Sequence, residues 1–80
     1  MEIMRDLSDV EVTFMDGEIK TYRINAGTSV GGYLAKEAGQ TGILSLFNEN
    51  EGYAIPIVNV RTWVIRAVTV AQFNAEKVKK

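Results

Sequence analysis

The side chains best equipped to bind something lie between Tyr53 and Arg66. Arg61, Trp63 and Arg66, with Tyr53 and Asn59 close by in sequence, combine rings that can stack on a nucleobase with guanidinium groups that can hold phosphate. Trp63 and Arg66 are an odd number of residues apart, so a regular strand points them to opposite faces. The ordinary alternative makes Trp63 a core anchor and leaves Arg66 needing a carboxylate, a carbonyl or a subunit interface. A second group, Gly27, Thr28, Ser29, Gly31 and Gly32, could offer amides and hydroxyls to an anion at a helix start, although no Gly-Lys-Ser/Thr follows. The ordinary alternative there is a Thr or Ser N-cap with glycines that admit a neighbouring strand. The acidic pairs Asp6/Asp9 and Glu49/Glu51 invite an acid–base or hard-cation reading, but they sit in expected loops, where solvated carboxylates are the usual outcome.

What is missing narrows the chemistry further. The chain has no cysteine and no histidine, so disulfides, thiolate nucleophiles, histidine-based triads and Cys/His metal sites all lack their residues. The expectation is a protein that is not an enzyme and carries no metal or cofactor. Nine basic and ten acidic residues leave a formal charge of −1, too little for a global field that would gather nucleic acid or acidic membrane. No apolar run approaches the ~20 residues of a membrane span, and the opening Met-Glu-Ile-Met-Arg-Asp is unlike a secretory leader, so a cytoplasmic location is expected.

These residues must be positioned by a small frame. Eighty residues suit one domain, and at this size folding buries only about 60% of the unfolded chain's surface, which favours self-association. No repeat or linker divides the chain; residues 1–8 and 74–80 are expected to be loose ends. Val10, Val12 and Phe14 alternate with Glu11 and Thr13, and Tyr22 and Ile24 alternate with Thr21 and Arg23, giving two amphipathic strands. An odd loop, Asp16-Gly17-Glu18, would keep both apolar rows on one face, with Val12 opposite Tyr22 and Val10 opposite Ile24. A helix follows, capped by Thr28 or Ser29, striped by Val30, Leu34 and Ala38, and stopped at Gly39. A four-residue turn at Asn48–Glu51 pairs Leu46 with Tyr53 and Leu44 with Ile55. Pro56 marks an edge strand or a bulge. Trp63–Val70 is apolar on both faces, which suits a central strand or a subunit interface. Val70, Phe73 and Val78 suggest a short C-terminal helix, with Lys77, Lys79 and Lys80 hydrated near its end.

Two stretches carry family resemblances. Val10–Gly39, read as strand, Asp-Gly-Glu turn, strand, Ala26-Gly27-Thr28-Ser29 and helix, resembles the opening of ubiquitin-like β-grasp domains such as plant-type ferredoxins and TGS domains. The functions of those families do not transfer, because the four cysteine ligands of a ferredoxin are missing and the chain closes on Lys79-Lys80 instead of Gly-Gly. Ala54-Ile55-Pro56-Ile57-Val58-Asn59-Val60 resembles the turn between the last two strands of SH3-like small barrels. In size and composition the chain also resembles accessory proteins of phages and mobile elements.

The expected architecture is a single α+β domain of order ββαβββ, an antiparallel sheet with one packed helix, β-grasp-like or alternatively an SH3/Sm-like small barrel. The expected function is a non-catalytic, homo-oligomeric binding module that sequesters or blocks a protein or small ligand, without a membrane partner. The alternative is a nucleic-acid-binding small barrel using Arg61, Trp63 and Arg66.

Overall fold

The computed structural model describes residues 2–78. Strands β1 (Ile3–Phe14), β2 (Ile19–Ile24), β3 (Ile43–Phe47), β4 (Gly52–Pro56) and β5 (Val60–Thr69) are joined by helix α1 (Gly31–Thr41) and followed by helix α2 (Val70–Val78). All pairings are antiparallel, and the strands divide into one sheet of order β2-β1-β5 and a second, β3-β4. The ββαβββ order and the short C-terminal helix are as expected.

The β1–β2 turn shows how local chemistry sets register. Gly17 has φ 93°, a left-handed conformation that costs glycine nothing. It ends a three-residue loop, Met15-Asp16-Gly17, closed by Gly17 N donating to Phe14 O at 2.9 Å and Phe14 N donating to Glu18 O at 2.8 Å. The odd loop keeps the apolar rows together, but the register is two residues from the expected one: Val10 faces Tyr22 and Ser8 faces Ile24. The β3–β4 hairpin has the expected pairs, Leu46 with Tyr53 and Leu44 with Ile55.

Residues 3–8, expected to be loose, form the first half of β1, and Asp6 and Asp9 lie in that strand instead of a loop. The helix also differs at both ends. Thr28 and Ser29 belong to a 3-10 turn, Thr28–Val30, and neither that turn nor α1 has a side-chain cap. The carbonyls of Gly27 and Thr28 accept the amides of Val30 and Gly31 at the entry instead, without help from the hydroxyls. At the other end the stop is Gly42, φ 76°, whose N–H donates to Ala38 O at 2.8 Å, while Gly39 stays inside the helix.

One core fills the space between the sheets and α1. Val10 and Val12 of β1, Ile24 of β2, Leu34 and Ala38 of α1, Leu44 and Leu46 of β3 and Ile55 of β4 are all buried in it. The expected helix stripe therefore seats as read, with Val30 half-buried beside it. Few main-chain links join the sheets. Asn25 N, just past β2, reaches Phe47 O of β3 at 3.4 Å, whereas Ile57 N donating to Gly42 O at 2.9 Å only extends the β3–β4 ladder.

Strand β5 is not central. It pairs with β1 along one edge and has no strand on its other edge among the described residues. It reaches that place through the 3-10 turn Ile57–Asn59, where the small-barrel resemblance set a turn. Since β5 runs antiparallel to β1, the β-grasp reading gives way: that fold lays its last strand parallel to its first, and here the helix leads into a second hairpin instead of crossing back.

Candidate functional site

Residues of the expected aromatic–arginine patch do not converge. Trp63 pairs with Val12 and packs against the core, while Arg66 projects from the opposite face, 3.5 Å from Glu11. Arg61 is exposed and donates to Met15 O at 3.2 Å, and exposed Asn59 accepts Met15 N through its carbonyl at 2.8 Å. Tyr53 stands on the other sheet, its ring 4.7 Å from that of Tyr22 and its hydroxyl donating to Glu51 at 2.8 Å. That bond to a carboxylate raises the Tyr53 pKa above the ordinary phenol value, and the bond from Tyr33 to Glu37 does the same for Tyr33.

In the glycine-rich segment, space is tight at two positions. A Cβ on Gly27 would lie 2.8 Å from Arg5 O, and one on Gly31 would lie 3.4 Å from Ile65 Cγ2, whereas Gly32 has nothing within reach. The close approach expected at Gly31-Gly32 is therefore made by Gly31 against β5, and the tighter one is Gly27 against β1. Thr28 and Ser29 are exposed.

The acidic pairs regroup. Asp9 leaves Asp6 and pairs with Arg23, whose guanidinium also holds Glu76 of α2 at 2.9 Å. These hydrogen bonds, to Asp9 first and Glu76 second, raise the Arg23 pKa further above its already high ordinary value. Gln72 adds a 3.4 Å contact to Asp9, and Thr69 Oγ1 caps α2 by accepting Gln72 N at 3.0 Å. Arg23 is thus the clasp that holds α2 to the first sheet. Arg23→Met should cost about 1–3 kcal/mol by removing the charge-assisted hydrogen bonds to Asp9 and Glu76, and far-UV circular dichroism should show helix content falling before the global melt.

Asp6 instead joins Glu49 and Glu51, with Asn25, Asn48, Asn50 and Phe73, around one open cleft. Asn48 builds its wall: its Nδ2 donates to Arg23 O at 2.9 Å, and its Oδ1 accepts the amides of Asn50 and Glu51 at 2.8 and 3.0 Å. With Arg23 committed to Asp9 and Glu76, the cleft's carboxylates are not balanced by it.

Sharing Asn25 with this cleft is a small groove of about 110 Å³ between α1 and β3, floored by Leu34 and Leu46 and flanked by Tyr33 and Phe47, which are 64% and 66% exposed. Sequence reasoning did not find it. Tyr33 and Phe47 each fall off the apolar periodicity of their element, which was the available signal.

Among the described residues no helix is long and apolar enough to cross a membrane. No protein-family model, no curated protein and no solved structure matches the chain.

Proposed function

We propose that this chain is a non-catalytic binding module that works as a homo-oligomer, two copies pairing through the outer edge of β5. The observation that carries the reading is the state of that strand. It is ten residues long, paired on one side only among the described residues, and holds no Pro and no Lys, its two charges, Arg61 and Arg66, being engaged by Met15 O and Glu11. Long unpaired edges of this kind template pairing with another chain unless charge, proline or a covering element blunts them. Val64, 41% exposed, lies near the middle of the strand. An antiparallel two-fold pairing centred there sets Arg66 against Thr62 and keeps the arginines from facing one another. Such a module would sequester or block a host protein or small ligand, as suits the size of phage or mobile-element accessory proteins.

Light scattering at high micromolar concentration should report a dimer or larger species, and Val64→Lys should return it to monomer by placing like charges at the centre of the pair. A wild-type chain that stays strictly monomeric overturns the reading. The nucleic-acid alternative has less support, because Arg66 already serves Glu11 and Trp63 serves the core. RNA or DNA binding at low salt that weakens steeply as salt rises would restore it.

A further inference from the structure

We propose that the α1–β3 groove and the acidic cleft beside it together dock an extended basic segment of a partner protein, with one aliphatic side chain in the groove and lysine or arginine side chains over Asp6, Glu49 and Glu51. This surface is separate from the β5 edge and does not depend on pairing there.

The groove's size comes first. At about 110 Å³ it is well below the roughly 300–1,000 Å³ of small-molecule sites, so it suits a single side chain. Its walls are almost wholly apolar, built from Ile24, Val30, Leu34 and Leu46, with exposed Tyr33 and Phe47 as rims that an incoming chain would cover. A buried anchor ringed by residues that exclude water is the usual source of affinity at such contacts.

Charge selects the occupant. Asn25 lines both depressions, so a segment anchored in the groove can extend over the cleft. Asp6 and Glu49 make no ion pair among the described residues, and Arg23, the cation at the cleft, is neutralised by Asp9 and Glu76. The field over the cleft is therefore negative; it complements a basic segment and repels nucleic acid or a second acidic surface. The backbone adds a third reason. Among the described residues β3 pairs only with β4, and on its groove side Phe47 O is met by Asn25 N, which leaves strand edge for an extended peptide to join.

The test uses an immobilised positional-scanning hexapeptide library, followed by fluorescence anisotropy on the best-selected peptide carrying a fluorescein label. Selection should converge on one aliphatic position with lysine or arginine nearby. Replacing that aliphatic residue by serine in the peptide should weaken binding roughly tenfold or more, as should Phe47→Ser in the protein. The Asp6→Asn/Glu49→Gln double variant should weaken it comparably and flatten its salt dependence. Phe47, Asp6 and Glu49 are not part of the core, so circular dichroism and melting should be unchanged. Binding should persist in Val64→Lys, which separates this surface from self-association. The proposal is overturned by no selection, by selection of acidic flanks, by basic peptides that bind equally without the aliphatic residue, or by single-stranded oligonucleotides that compete as well as peptide does.

Discussion

Leu44→Ala should lower stability by about 3–5 kcal/mol, a large share of the roughly 4–12 kcal/mol expected for a chain of 80 residues. Leu44 is fully buried and faces Ile55 across the β3–β4 hairpin, in the same cluster as Leu34, Ala38, Val10 and Val12. Its loss would open a cavity where α1 and both sheets meet. The effect should be global, because main-chain hydrogen bonds between the sheets are few and side-chain packing does most of the joining. Urea unfolding should therefore show a lower midpoint with an unchanged slope and one transition. Phe47→Ala on the same strand, with its side chain outside the core, should stay within about 0.5 kcal/mol of wild type. If Leu44→Ala cost no more than Phe47→Ala, the two sheets would not share one core.

What the sequence revealed depended on how many constraints met at each element. At the second hairpin, apolar parity and loop length agreed, and the pairs Leu46–Tyr53 and Leu44–Ile55 follow from either one. At the first hairpin parity alone was available. Loops of Met15–Gly17 and Asp16–Glu18 both keep Val10, Val12, Tyr22 and Ile24 on one face, and the choice between them rests on glycine taking the left-handed last position. The helix end was ambiguous for a similar reason: Gly39 and Gly42 both follow Ala38, and Gly42 is also the position whose carbonyl receives Ile57 N at the open end of the β3–β4 hairpin. For β5, composition reports faces and says nothing of edges. Trp63, Ile65 and Ala67 are half-buried on the inner side and Val68 is fully buried on the other, so the strand looks central while it lies at an edge. The cleft was the least legible feature. Asp6, Glu49 and Glu51 meet only because the first half of β1 continues past the end of β2 toward the β3–β4 turn, and no local pattern encodes that meeting.

Gly27→Ala should destabilise the protein by about 2–3 kcal/mol, which corresponds to a melting temperature lower by roughly 10–20 °C at this size. The backbone angles at Gly27, φ −77° and ψ 172°, suit any residue, so the cost comes from space. The new Cβ would lie 2.8 Å from Arg5 O, a main-chain atom inside β1 that cannot rotate away. The loop on its other side is pinned as well, since Ser8, fully buried in the core-facing row of β1, donates through Oγ to Ala26 O at 2.7 Å. Relieving the clash means lifting the loop and breaking that bond, which strands a buried hydroxyl. Ser8→Ala alone should cost about 1–2 kcal/mol, and the Ser8→Ala/Gly27→Ala pair should cost less than the sum, because the second change finds the clasp already open. Gly39→Ala supplies the opposite sign: an exposed helix position with open space around it should gain about 0.5–1 kcal/mol. Were Gly27→Ala and Gly39→Ala to melt alike, the Ala26–Gly27 loop would not be clamped to β1, and α1 would owe its position over the groove to the core contacts of Leu34 and Ala38 alone.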